Sequence, residues 1–351
     1  TGRSELPVGF DPSRPRDADF PAIAAIAGAV TRQRNNLPPA IALPERLVHT
    51  TGRVIPGQFA GQMGVRRDPW FIEASPFHSK SYGAFPEFAF DHQDRGDADQ
   101  RLYQAPSLTL PDWLPPARLE NRLALVDDLN RQRRALDRAA ETESFDRFRQ
   151  NAISLLTHRS VKSALDVTKA DDATQERYGR NSFGWSLLMA RRLVEAGCRV
   201  VTVNYSKWDW HGGAERSIFD REREDFPVFD NAFAALLDDL RDRGLEKDVT
   251  VIAWGEFGRT PVISKQVGRD HWPRVCSAVM AGGGMRTGQI IGATDRLAGE
   301  AVSRPVTFAE VFATLYHNLG IDPRRATIAD LSGRPQYLVE KNAEPLKELV
   351  G

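Results

Sequence analysis

Cysteine is almost missing from this chain: two residues, Cys198 and Cys276, among 351. Two thiols make no disulfide framework. Each sits in an apolar segment that reads as a strand, where a buried, inert thiol is expected. Net charge is missing as well, since 47 Lys and Arg cancel 47 Asp and Glu. That balance argues against nucleic acid as the main partner, because phosphate binding needs a basic excess on some face. No run approaches eighteen apolar residues, so no membrane-spanning helix is expected. Internal repeats and low-complexity tracts are absent too. The opening Thr1-Gly2-Arg3 shows no Met, no charged n-region and no apolar h-region. It therefore reads as the start of a processed chain or of a piece of a longer one.

What is present is a globular composition, 41% hydrophobic and 27% charged, enough for one large core or two smaller ones. Residues 1–115 are rich in Pro and Gly and read as loops with short strands. The exception is a helix around 19–36 (DFPAIAAIAGAVTRQRNN); examples of the rest are the apolar run at 40–43 behind Pro38-Pro39 and the Gly-punctuated 54–64. A loop-rich stretch of that length usually wraps a surface or builds a site. Residues 116–170 change character. Leu119, Leu123, Leu125, Val126 and Leu129 recur at helical spacing, and a charged run follows, so two long helices with solvated outer faces are expected. From 178 onward helix and strand alternate. An amphipathic helix at 182–196 closes on Gly197, and a β-branched strand covers 198–204. A long helix at 219–243 ends before Gly244, apolar strands fill 249–254 and 275–281, and a last helix at 307–319 opens on a Thr307/Glu310 capping box. Fully apolar strands between helices predict an α/β layer with a mainly parallel sheet.

In such sheets ligands bind beyond the C-terminal strand ends. After the 198–204 strand comes Trp208-Asp209-Trp210-His211-Gly212-Gly213. Asp209 and His211 stand two apart, so in extended chain both point the same way, and a carboxylate beside an imidazole can share one metal ion. Trp208 and Trp210 then point away and pack. The bland alternative is a chance surface pair. After the 249–254 strand comes GEFGRTP at 255–261, with Glu256 between glycines; here the alternative is an ordinary salt bridge to Arg259. GRDHWP at 268–273 brings Asp270 and His271 in just before the next strand. A lone His is usually structural, but three such clusters at strand ends predict one shared metal-bearing site.

With YGRNSFGWSLLMARRLVEAG at 178–197, the DWH triplet at 209–211, GEFGRTP, GRDHWP, AGGG at 281–284 and IIGATD at 290–295, the chain resembles the DUF1501 family. That family is usually placed in the alkaline phosphatase/sulfatase-like superfamily. The resemblance implies one three-layer sandwich domain, its central sheet mainly parallel with helices on both faces, and one or two divalent cations, commonly zinc, manganese, magnesium or calcium. It also implies a Ser, Thr or modified Cys nucleophile attacking phosphorus or sulfur. Carried over by position, Asp209, His211 and His271 resemble the set that holds one metal, and Glu256 resembles an acidic ligand of a second. In relatives a His follows that acid; Phe257 stands there instead and cannot ligate. Thr1-Gly2-Arg3 resembles the triplet that closes the nucleophile's helix. This reading places the nucleophile and an N-terminal Asp upstream and discounts Ser4. An exported, periplasmic or extracellular location is expected on the same ground.

Two further roles follow from residue chemistry. The planar fork of Arg259 suits an anionic substrate oxygen, its alternative being a plain partner of Glu256. Asp270 is expected to support His271 or to pair with Arg259 or Arg269. His317 reads as structural, and His49, His78 and His92 lie in N-terminal loops without a supporting pattern. Asp295 reads as bounding the pocket. Two functions stay open: a hydrolase of phosphate or sulfate esters, with an anionic small molecule or sulfated polysaccharide as substrate, and a non-catalytic metal-binding or interaction member of the same fold.

Overall fold

Pro38 and Pro39 lead directly into the one strand buried at all its positions among the described residues of the computed structural model, Ala40–Leu43. The structure describes residues 2–3, 5–31, 37–44, 46–49, 53–72, a few positions between 114 and 124, 163–205, 208–213, 217–340 and 343–350. Along the chain the elements are α1 (Ile23–Val30), β1 (Ala40–Leu43), β2 (Trp70–Phe71), α2 (Asp172–Tyr178), α3 (Ser182–Glu195), β3 (Val200–Val203) and α4 (Ile218–Asp242). There follow β4 (Thr250–Trp254), β5 (Gly258–Arg259), β6 (His271–Trp272), β7 (Ala278–Gly282), β8 (Ala293–Thr294) and β9 (Ala301–Ser303). The chain closes with α5 (Phe308–Asn318), β10 (Thr327–Ala329), β11 (Pro335–Tyr337) and α6 (Lys347–Val350).

β1 is the middle of a three-stranded parallel sheet, with Ile41 opposite Trp70 of β2 on one side and Val201 of β3 on the other. Side chains alternate along it. Ile41 and Leu43 enter a core with Phe183, Leu188 and Leu193 of α3 and Ala232, Leu236 and Leu240 of α4. Ala40 lies against Gly28 of α1 instead. The helices start where their caps dictate. Asn181 accepts from the Gly184 amide at 2.9 Å to open α3, and capping boxes Ser217/Asp220 and Thr307/Glu310 open α4 and α5.

Three helices are fastened by one buried carboxylate. Asp239 of α4 accepts from the Tyr178 hydroxyl of α2 at 2.9 Å and from Arg243 Nε at 2.7 Å, and it faces Arg191 Nε of α3 at 2.9 Å. Both Asp239 and Arg191 are buried. Burial pushes the Asp239 carboxyl up, but the Arg243 hydrogen bond and the Arg191 charge outweigh it and hold the group below its ordinary 3.8.

The expectation of a mainly parallel sheet is met in part. Among the described residues the β2-β1-β3 sheet is parallel, while β4 pairs with β7 antiparallel, Ile252 opposite Met280, and the remaining pairs are antiparallel too. Parallel neighbours need a crossover, usually a helix, and residues 255–277 supply only β5 and β6. The apolar run at 249–254 reveals a strand but not its direction. Neither cysteine lies in a strand: Cys198 is buried just past α3, while Cys276 is exposed between β6 and β7. The helix expected at 19–36 is described over Ile23–Val30, and the two helices expected over 116–170 lie largely outside the described residues.

Removing the Asp239 carboxylate strands a buried phenol and leaves the buried Arg191 guanidinium with Glu195 as its ion-pair partner. Asp239→Ala should lose about 3 kcal/mol in urea unfolding at neutral pH. Because the folded carboxyl titrates below 3.8, its contribution is fully present above that pH and is lost as pH falls through the lower folded value. The gap between the two proteins should narrow there.

Candidate metal centre

Beyond β3 the chain reaches the site through a strained residue. Trp208 has φ 72°, a left-handed conformation that bulky side chains rarely adopt. Packing holds it there: its ring centroid lies 5.3 Å from Tyr205, 5.6 Å from Phe226 and 5.0 Å from Phe229. Trp210 is buried against Phe226. The two indoles anchor the segment to α4 and leave Asp209 and His211 together, as their spacing predicts.

His271 arrives from a second loop, on β6, paired with Arg259 of β5. The two loops are stitched by main-chain bonds: Arg269 N–H to the Trp210 carbonyl at 3.1 Å, and Gly213 N–H to the Gln266 carbonyl at 3.1 Å. They cross without room for a side chain. A Cβ on Gly268 would stand 2.0 Å from the His211 carbonyl carbon and 2.1 Å from the Gly212 nitrogen. Gly212, at φ 85°, would put its own Cβ 2.3 Å from the Gln266 oxygen. These glycines make the crossing possible, and the crossing sets the two imidazoles side by side, ring centroids 4.9 Å apart.

The outcome is one carboxylate oxygen facing three nitrogens. Asp209 Oδ1 lies 2.7 Å from Arg259 Nη2, 2.9 Å from His271 Nε2 and 3.1 Å from His211 Nε2. His211 Nδ1 is 2.8 Å from Asp270 Oδ1. Burial pushes the Asp209 carboxyl up, but the His271 hydrogen bond and the Arg259 bond and charge prevail and hold it at about 2. Asp209 is thus an anion at any working pH. If His211 gives its Nδ1 proton to Asp270, its Nε2 lone pair points at that anion, an arrangement that only a proton or a cation between them relieves. One carboxylate and two imidazoles, their ligand atoms all within 4.8 Å of one another, fit such a cation. Bonds of about 2.0–2.1 Å at a tetrahedral centre set ligand atoms roughly 3.3 Å apart, a little more than the 2.9 and 3.1 Å from Asp209 Oδ1 to the two imidazole nitrogens.

Of the residues singled out in the sequence, Asp209, His211, His271, Arg259 and Asp270 come together. Glu256 does not join them: it is exposed and outside the cluster of possible ligand atoms. It lies instead near Cys276, whose thiol is pushed up by partial desolvation of its sulfur and then by the Glu256 charge. The ion-pair partner of Arg259 is Asp209, not Glu256: directly opposite His271 in the β5–β6 pair, Arg259 reaches with it to the Asp209 segment beyond β3. Asp270 pairs with His211, while Arg269 holds the Thr260 and Pro261 carbonyls. Asp295 caps its own turn by accepting from Gly299 N–H at 2.7 Å, and the Gly299 carbonyl holds the Trp272 indole at 2.8 Å. Phe257, read in sequence only as a missing ligand, lies on the His271 ring at 4.2 Å between centroids. An aromatic one residue from a predicted acidic ligand was the available signal. His317 is exposed at the end of α5. Ser4, His78 and His92 lie outside the described residues.

A family model described as "Protein of unknown function (DUF1501)" matches residues 8–350. No curated protein and no solved structure matches.

The crossing is directly testable. Gly268→Ala should destabilise the fold by about 1–3 kcal/mol, since backbone rather than a flexible side chain must move. Gly213→Ala, whose Cβ would meet nothing within 4 Å, should cost a fraction of that in the same urea titration.

Proposed function

Because the chain belongs to the DUF1501 family and gathers one carboxylate and two imidazoles around a single point, we propose that it is a metal-dependent hydrolase-like protein acting on phosphate or sulfate esters. The convergence of Asp209, His211 and His271 carries this reading. An alkaline phosphatase-like three-layer arrangement belongs to the same proposal. Its support is β1 with α3 and α4 against Ile41 and Leu43 and with α1 against Ala40.

Each residue then has a task. Asp209 and the Nε2 atoms of His211 and His271 would hold the cation. Two imidazoles with a carboxylate suit zinc better than calcium, magnesium or manganese, which favour oxygen. A bound divalent cation supplies charge neutralisation for the transferring phosphoryl or sulfuryl oxygens. Asp270 accepts the Nδ1 proton of His211 and so fixes the tautomer that leaves Nε2 free to ligate. Phe257 covers one face of the His271 ring. With Glu256 outside the cluster, the reading uses one cation. Arg259 offers its fork to an anionic ester oxygen. No Ser, Thr or Cys among the described residues is hydrogen-bonded to Asp209, His211 or His271, and the reading takes the nucleophile from outside them.

Purified protein dialysed against zinc should retain close to one equivalent, and Asp209→Ala and His271→Ala should each lose most of it. Retention that is unaffected by both substitutions would remove the metal site. Hydrolysis of an aryl phosphate or aryl sulfate by the full-length protein, abolished in the same variants, supports catalysis. Metal binding without hydrolysis supports the non-catalytic member instead.

A further inference from the structure

Arg259 occupies an unusual position for a substrate-binding residue. Its Nη2 already donates to Asp209 Oδ1 at 2.7 Å, and that is the oxygen both imidazole Nε2 atoms face. The guanidinium is thus the counter-ion of the very atom a divalent cation would need. The rest of the side chain is kept in place: Nη1 is 3.4 Å from the Arg269 carbonyl, and the Phe257 ring centroid lies 5.8 Å from Cζ. Its side chain is 23% exposed, so it cannot simply swing into water.

We propose that cation and oxyanion binding are coupled at this site through exchange at Asp209 Oδ1. The inference rests on the metal reading above. In the cation-free site Arg259 neutralises Asp209, so the pair offers little attraction to an anion. A divalent cation takes the oxygen over and repels the guanidinium from it. Arg259, still held by the Arg269 carbonyl and Phe257, is left with a free Nη2 beside a dication. Two positive groups then face one opening, balanced only by Asp209 and by Asp270 on the far side of His211. A tetrahedral oxyanion carrying at least one negative charge, a phosphate or sulfate ester, restores neutrality and receives the released donor. The site would therefore accept its anion only after it holds its cation, and Arg259 would act as internal competitor first and as anion ligand second.

Linkage makes the exchange measurable without turnover, since cation and anion must strengthen each other by the same factor. Titration calorimetry on the whole chain, with zinc alone, inorganic phosphate alone, and each in the presence of the other, reads it. A parallel arm replaces phosphate with inorganic sulfate, to separate the two anions. In the wild type zinc should tighten phosphate or sulfate by about tenfold, of ordinary coupling size, and the anion should tighten zinc equally. Arg259→Gln should bind zinc more tightly than the wild type, its competitor being gone, and should lose the coupling. Arg259→Lys, which keeps the charge, should retain part of both effects and serves as the folded control. Failure of the wild type to bind zinc overturns the metal reading and this inference with it. Zinc binding that weakens in Arg259→Gln, or coupling that survives there, overturns the exchange alone.

Discussion

The backbones of Gly212 and Gly268 pass so close that no side chain fits between them, and the candidate site depends on that contact. It brings a segment projecting beyond the parallel sheet against a hairpin that shares no strand with that sheet. Once the loops cross, little freedom remains. Arg269 N–H bonds to the Trp210 carbonyl, His271 lies beside His211, and the β5–β6 register delivers Arg259 opposite His271. The Trp208 and Trp210 indoles hold the other half by burying themselves against α4. The strain at Trp208 is thus met by aromatic packing on one side while Asp209 is presented on the other.

Among the carboxylates of this fold that face several donors, Asp239 and Asp209 differ in a telling way. Asp239 is enclosed and faces two guanidiniums and a phenol, groups that keep their protons at any ordinary pH. Nothing about it is exchangeable, and it fastens three helices. Asp209 is partly exposed and meets one guanidinium and two imidazoles, which give up protons and accept metals readily. The first arrangement suits structure and the second suits a site that changes occupants.

The core of the site was readable in the sequence for a physical reason. Asp209 and His211 are two apart, and an extended segment puts such residues on one side. Asp270 and His271 follow a glycine in a loop whose polar density has no packing purpose. Partner choice was harder, because nearness in sequence misled: Arg259 stands three residues from Glu256 but reaches out of its hairpin to Asp209 on the segment beyond β3. Asp270 skips its neighbours for His211, 59 positions away. Strand direction was hidden too, since an apolar run such as TVIAW is the same in parallel and antiparallel pairs, and only the missing helix in 255–277 tells them apart. Cys276 looked buried because its neighbours are apolar, yet it falls in the exposed coil before β7. Helix boundaries were the most legible part, being set locally by Asn181, Ser217 and Thr307 as caps.

The crossing has a mechanical side. Asp209 and His211 overhang one sheet, while His271 belongs to a separate two-stranded hairpin that is too short to be stable alone. A cation held by all three would act as a rivet between two bodies otherwise joined by a seam of main-chain bonds. Its binding free energy would then appear as resistance of the hairpin to local opening. The part of the fold with the least cohesion of its own would borrow its rigidity from what the site contains.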